Sequence, residues 1–168
     1  MAYDQHTHAS HSIIARCAII TLSDTRTEST DTSGQLIQTL LTNAGHQVIS
    51  YNIIPDDPTQ LEPLLLSHLN NPAIDTILTN GGTGISKRDQ TIPTIEKHLT
   101  QLLPGFGELF RLLSWQQIKS GAMLSRAIGG IANDKVLFSM PGSPKAVDLA
   151  MTNLILPELK HLLFELRK

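Results

Sequence analysis

Four short polar segments carry the residue types that chemistry on a phosphate or another anion requires. They are Ser23-Asp24-Thr25-Arg26, Pro55-Asp56-Asp57, Gly81-Gly82-Thr83-Gly84 running on to Lys87-Arg88-Asp89, and Pro141-Gly142-Ser143-Pro144. Gly81, Gly82 and Gly84 lack side chains, so backbone amides there can approach a phosphate closely, and Thr83 adds a hydroxyl. A plain chain reversal is the other reading of the same glycines. Lys87 and Arg88 can neutralise phosphate charge or simply solvate a surface. Asp56 and Asp89 could share Mg²⁺, which takes one or two carboxylates together with phosphate oxygens and water. Alternatively, Asp56 makes a turn with Pro55, and Asp89 caps a helix that starts near Thr91. Ser125-Arg126 adds a hydroxyl and a guanidinium suited to an anionic ligand. Ser23 and Ser143 also have turn and cap readings.

Some chemistries are disfavoured by the same residues. Ser86 stands where a Walker loop needs a glycine before the lysine, and the Gly81–Gly84 spacing does not fit a dinucleotide-binding turn. His46, His68, His98 and His161 fall in predicted regular elements, and no Ser, His and Asp set assembles with spacing support. Nucleophilic hydrolysis is therefore not expected.

The elements that must position these loops follow from hydrophobic patterning. Residues 13–22 form a continuous, β-branched run expected of a strand covered on both faces, placed centrally in a parallel sheet. Leu36, Ile37, Leu40 and Leu41 recur at helical spacing until Gly45, a C-terminal stop. Residues 46–54 read as a second strand. Asp57 and Pro58 then read as an N-cap and first helical residue, ahead of a stripe from Leu61 to Leu69. A third strand spans about 73–79, residues 106–119 look helical, and 135–140 look like a strand. Residues 143–163 form a terminal helix with Ser143 as cap and Pro157 as a kink. Phe106 is expected in the core, and Trp115 in the core or at a subunit interface. This alternation predicts an α/β fold, a three-layer α/β/α sandwich around a mostly parallel sheet, with the polar loops on its carboxyl edge.

Length and composition bound the reading. A chain of 168 residues is about one domain, taken as 13–168, after a polar leader, 1–12, whose His6, His8 and His11 could offer imidazoles to a metal. Hydrophobic residues make up 40% and charged residues 17%, which opposes disorder. Thirteen Lys plus Arg against fifteen Asp plus Glu give a net charge of -2, without the basic bias of a nucleic-acid binder. No apolar run approaches the roughly 18 residues of a membrane span, and the first residues are not signal-like, so a cytoplasmic protein is expected. A single cysteine, Cys17, excludes an internal disulfide.

Taken in order, Thr21-Leu22-Ser23-Asp24-Thr25-Arg26, Asp31-Thr32-Ser33-Gly34, Pro55-Asp56, Gly81-Gly82-Thr83-Gly84-Ile85-Ser86-Lys87-Arg88-Asp89, Pro104-Gly105-Phe106-Gly107-Glu108, Leu124-Ser125-Arg126-Ala127 and Pro141-Gly142-Ser143-Pro144 resemble the molybdenum cofactor biosynthesis family of MoaB and MogA. The segment from Ile85 to Asp89 resembles the B-type members. The resemblance implies a molybdopterin-binding fold, trimeric or hexameric, that adenylylates molybdopterin with MgATP and releases pyrophosphate. By motif, it implies that Gly81, Gly82, Thr83 and Gly84 hold the pterin and that Asp56 and Asp89 handle Mg²⁺ and the reacting phosphates. Ser23, Ser125, Arg126, Gly142 and Ser143 would line the remaining ligand edge. Hand-over of product to the molybdenum-insertion protein is a further expected partnership. Two other readings stand beside it: a non-catalytic oligomeric molybdopterin-binding protein of the same pathway, and a nucleotide-binding regulator supported by fold class alone.

Overall fold

The computed structural model describes residues 12–168; the leader histidines His6, His8 and His11 lie outside them. Six strands form one sheet: β1 (Arg16–Leu22), β2 (Gln47–Ile54), β3 (Thr76–Asn80), β4 (Gln101–Leu102), β5 (Ile128–Ala132) and β6 (Lys135–Met140), in the order β2-β1-β3-β6-β5-β4. The pairs β1·β2, β1·β3 and β3·β6 are parallel. Chain order reverses on either side of β1, so the loops after β1 and β3 leave the carboxyl edge in different directions and open a crevice between them.

The helices are α1 (Thr32–Asn43), α2 (Pro58–Asn70), α3 (Thr91–Glu96), α4 (Pro104–Ile118), α5 (Pro144–Ala150) and α6 (Leu156–Leu166). Alternation of side chains along each strand feeds two apolar layers. On one face Cys17, Ile19, Leu78 and Phe138 pack with Ile37 and Leu41 of α1, Phe106 and Phe110 of α4, and Leu159 of α6. On the other, Ala18, Ile20, Ile77 and Leu137 pack with Leu61 and Leu65 of α2 and Ile95 of α3. Fully burying a side chain such as Ile19 or Ile20 contributes about 1.5–3 kcal/mol. Burial also pushes the Cys17 thiol up to about 12, which leaves it unreactive at neutral pH.

The expected caps are present. Asp57 accepts from the Thr59 amide ahead of Pro58, Ser143 accepts from the Ala146 amide ahead of Pro144, and Gly45 follows α1 with φ +80°. The terminal helix is interrupted just before Pro157. A π-helical turn, Met151–Ile155, joins α5 to α6 and absorbs the amide that proline lacks.

One strand, β5, escapes the hydrophobic pattern. β5 runs antiparallel to β6 through Asn133 (φ 48°) and Asp134 (φ 56°), the two positive angles of a type I′ turn. The strand Ile-Gly-Gly-Ile-Ala carries little apolar signal because its glycines make room for neighbours. A Cβ on Gly129 would sit 2.7 Å from the Phe138 ring. Phe106 of α4 in turn lies 4.7 Å, centroid to centroid, from Phe138, which couples α4 to the sheet. Trp115 is 53% exposed and is not in the core. We expect Phe138→Ala to lower unfolding free energy by about 3–5 kcal/mol in urea titrations; a loss below about 1 kcal/mol would contradict this packing.

Candidate functional site

The four loops named from the sequence meet on the carboxyl edge and are tied there by specific bonds. Arg26, from the loop after β1, donates from Nη2 to the Gly142 carbonyl at 2.9 Å, and Ser33 at the start of α1 donates to the same oxygen at 2.7 Å. The Gly81 amide donates to the Met140 carbonyl at 3.0 Å, and Ser23 to the Ile54 carbonyl at 2.8 Å. Arg88 forms an ion pair with Asp24, joining the glycine loop to the first loop.

Asp31 anchors this arrangement. Its side chain is fully buried and accepts from the Gly34 amide at 3.0 Å, the Tyr51 hydroxyl at 2.7 Å and Arg26 Nη1 at 3.2 Å. Burial pushes the carboxyl up, but these donors, the Thr21 hydroxyl and the Arg26 charge outweigh it, and the net shift is downward. The Tyr51 hydroxyl is raised by burial and by its bond to Asp31. Thr21 accepts at 2.8 Å from Asn80, the last residue of β3, so the polar chain crosses three strands and ends next to Gly81. A Cβ on Gly34 would lie 2.3 Å from Asp31 Oδ2, which explains a glycine inside the first turn of α1.

The glycine loop is shaped by carboxylates. Gly81 (φ +102°) passes so close to Leu22 that a Cβ would lie 2.3 Å from its carbonyl oxygen. A Cβ on Gly82 (φ +62°) would lie 2.7 Å from both Asp56 oxygens and 2.0 Å from Thr91 Oγ1; one on Gly84 would lie 2.8 Å from Asp89 Oδ2. Asp56 and Asp89 therefore flank alternate glycines. Half-buried Asp56 accepts from Thr91 Oγ1 at 3.1 Å. Its carboxyl is raised, first by burial and then by the charges of Asp89 and Asp24, although Thr91 and Arg88 oppose the rise. Asp89 is lowered, chiefly by the Ser86 side chain, together with the Ser86 and Gly84 amides and the Arg126 charge, against burial. Its Oδ2 accepts from the Ser86 amide at 2.9 Å, so it closes its own loop instead of capping α3, whose N-cap is Gln90 with no side-chain cap.

Arg126 clips both ends of the same loop, donating to the Thr83 carbonyl at 3.4 Å and the Asp89 carbonyl at 2.6 Å. Gly82, Thr83, Gly84, Asp89, Ser125 and Gly142 line one cavity of about 370 Å³. Ser143 lines a smaller neighbouring cavity with Ser125. The Ser23 hydroxyl is used inside its own loop, accepting from the Thr25 and Arg26 amides at 3.3 and 3.2 Å. Thr91 had no sequence signal, because a partner across 35 residues is visible only once α3 is folded against the loop after β2. Arg26, Asp31 and Ser33 stand in recognisable motifs, but their common target, the Gly142 carbonyl, is legible only in three dimensions.

The donor set fits Mg²⁺ in one specific respect. Asp56 has a second oxygen outside its bond to Thr91, and its neighbours Asp89 and Asp24 repel its charge, an imbalance a cation would relieve. Among the described residues no group of three metal-ligating side chains occurs, so further ligands would be substrate oxygens and water. No helix among the described residues is long and apolar enough to cross a membrane.

Comparison with known proteins adds the family. The family model described as "Probable molybdopterin binding domain" matches residues 18–161. The chain is 55% identical over 154 residues to molybdenum cofactor biosynthesis protein B of Bacillus cereus, covering 91% of each. It is 48% identical over 169 residues to the protein of the same name from Halalkalibacterium halodurans, covering 100% of this chain and 99% of that one. A solved structure of a molybdenum cofactor biosynthesis protein B superimposes with a TM-score of 0.89 at 54% identity, covering 92% of this chain and 97% of the other.

The Asp31 network makes a prediction about pH. Because the folded-state value lies below the unfolded one, the stability from Asp31 is present above the unfolded value of about 3.9 and is lost as pH falls through the folded value. Asp31→Asn should cost about 1–3 kcal/mol at pH 7, and the gap to wild type should narrow below about pH 4. Urea midpoints across pH 3 to 7 measure this, and a gap independent of pH would refute it.

Proposed function

The chain belongs to the molybdopterin-binding family that includes the MoaB and MogA proteins, and from that premise we propose that it acts in molybdenum cofactor biosynthesis as a Mg²⁺-dependent molybdopterin adenylyltransferase. The terminal phosphate of molybdopterin attacks the α-phosphorus of ATP. A new oxygen–phosphorus bond forms, the bond from the α-phosphorus to the bridging oxygen breaks, and pyrophosphate leaves with that electron pair. Such a transfer needs alignment and charge neutralisation more than a protein nucleophile, because the substrate supplies the attacking oxygen.

The observation that carries this reading is the placement of Asp56 and Asp89 against alternate glycines of one loop. In it, Gly81, Gly82, Thr83 and Gly84 hold molybdopterin, Gly82 and Thr83 by their amides and the Thr83 hydroxyl, and Gly81 and Gly84, whose amides serve the Met140 carbonyl and Asp89, by shaping the loop. Asp56 and Asp89 hold Mg²⁺, which when bound screens the two meeting anions and stabilises transition-state charge. Ser125 and Gly142 line the cavity beside that loop, Arg126 clips the loop's two ends, Ser143 lies at the neighbouring cavity and Ser23 supports the first loop. A second reading, a non-catalytic molybdopterin-binding protein, is favoured by one observation: the Asp89 carboxylate is already engaged by the Ser86 amide.

A homotrimer or homohexamer is part of the proposal, as are a cytoplasmic location and hand-over to the molybdenum-insertion protein. The oligomer is supported by α4, where Leu109, Leu112, Trp115 and Ile118 recur every three residues and are 49–60% exposed. Leu112→Glu should shift the light-scattering mass towards one chain; an unchanged mass would remove α4 from the interface.

The reaction itself is tested by pyrophosphate release with MgATP and molybdopterin, with chromatography of the adenylylated product. Asp89→Asn should lower turnover by about 10²-fold or more while molybdopterin affinity stays close to that of wild type. Thr83→Trp should instead weaken molybdopterin binding by about tenfold, roughly 1.4 kcal/mol. Tight molybdopterin binding by wild type without product would decide for the second reading.

A further inference from the structure

Asp56 is fixed along its backbone and held at its side chain by a single bond. Pro55 sets one backbone angle beside it, the Asp57 amide donates to the Pro55 carbonyl at 2.8 Å, and Asp57 caps α2, so the main chain there has little room to move. The Asp56 carboxylate, by contrast, accepts one hydrogen bond among the described residues, from Thr91 Oγ1 at 3.1 Å. Asp89 and Asp24 repel it, and Arg88, the cation that attracts it, is paired with Asp24. Repulsion alone would rotate the carboxylate away from Asp89.

Thr91 belongs to a different element and is not needed by its own helix. It opens α3 and is fully buried. Gln90 stands at the cap position without a side-chain bond, and Pro93, third in the helix, lacks an amide that a capping side chain would accept from. Thr94, also buried, donates back to the Gln90 carbonyl at 2.8 Å, the usual use of a hydroxyl inside a helix. Thr91 instead reaches out to a residue 35 positions earlier in the chain. Gly82 makes room for this contact: a Cβ there would lie 2.0 Å from Thr91 Oγ1 and 2.7 Å from both Asp56 oxygens. Ile95 of the same helix is buried in the apolar layer with Ile77 and Leu137, so the hydroxyl rides on a rigid support.

We infer that Thr91 is a positioning residue for the cation site: its hydroxyl ties one Asp56 oxygen to α3 and leaves the other for a cation shared with Asp89. The inference rests on the Mg²⁺ reading of the two aspartates and adds a residue that touches neither metal nor substrate. A carboxylate already held by a donor gives up little side-chain freedom when a cation arrives. With one oxygen engaged by the hydroxyl it also binds through the other alone, which keeps coordination positions open for phosphate oxygens and water.

The test uses Mn²⁺ with α,β-methylene-ATP, titrated into the full-length protein and followed by the relaxation of water protons. Thr91→Val keeps the shape of the side chain and removes the donor, and should weaken binding of the Mn²⁺ complex by about tenfold or more. Affinity for the same nucleotide in EDTA should stay at the wild-type value. Thr91→Ser should restore binding of the complex, and Thr91→Ala, which removes the methyl group as well, should lose at least as much as Thr91→Val. Thr94→Val serves as the control for a loosened helix, with a lower unfolding midpoint and unchanged affinity for the complex. In turnover assays Thr91→Val should lower kcat and raise the Mg²⁺ concentration at half-maximal rate, while KM for molybdopterin stays within about twofold of wild type. Wild-type affinity for the complex in Thr91→Val, no restoration in Thr91→Ser, an equal loss in EDTA, or an equal loss in Thr94→Val would each overturn the inference. No saturable binding of the Mn²⁺ complex by wild type would overturn it together with the Mg²⁺ reading. Thr91-dependent binding by a protein that releases no pyrophosphate would leave the inference standing and remove the transferase.

Discussion

A carboxylate withdrawn from water must be surrounded by donors, and the need to satisfy Asp31 organises the carboxyl edge of this sheet. Its partners come from β1 (Thr21), β2 (Tyr51), the first turn of α1 (Gly34) and the loop between (Arg26). Arg26 reaches beyond Asp31 to the Gly142 carbonyl, so the loop after β6 is held by a guanidinium that the buried charge has already oriented. Leaving one partner of such a group unmatched costs more than the bond itself contributes, so the network tends to be kept whole or lost as a unit.

The glycine loop sits on this frame and is shaped by a second electrostatic demand. Glycines are usually read as access for a ligand. Here the space a Cβ would fill is taken by protein carboxylates, Asp56 at Gly82 and Asp89 at Gly84. The two readings are compatible, because carboxylates brought that close to the Gly82 and Thr83 backbone place a cation and an anion within reach of the same few residues. The opposite shifts of the two aspartates follow from their surroundings. Burial raises Asp56, aided by two like-charged neighbours against the Thr91 hydroxyl and Arg88, whereas the Ser86 side chain lowers Asp89 together with two amides and Arg126.

Arg126 and Ser125 link that loop to the start of α4. The Pro-Gly-Phe-Gly-Glu segment there has a physical explanation in parts. Phe106 packs on Phe138 and anchors the helix, and Gly107 leaves room for the Ala127 carbonyl and the Arg111 guanidinium. The exposed stripe on α4 is a separate feature of the same helix.

Much of this was legible in the residues alone. The continuous β-branched run at residues 13–22, the proline and serine or aspartate caps, and the helical stripes declared a parallel α/β sheet, because those signals depend on neighbours within a few positions. Ordered motifs identified the loops and both aspartates. Strand β5 was hidden because its glycines answer to Phe138 and other distant neighbours and leave no local hydrophobic pattern. The roles of Thr91 and Ser33 depend on partners 35 and 109 residues away. The alternative in which Asp89 caps the next helix failed because the Ser86 amide competes for it locally. Local periodicity and capping chemistry thus determined the elements and their order, while the satisfaction of buried charge, which acts between residues remote in the chain, was decided only when those elements packed.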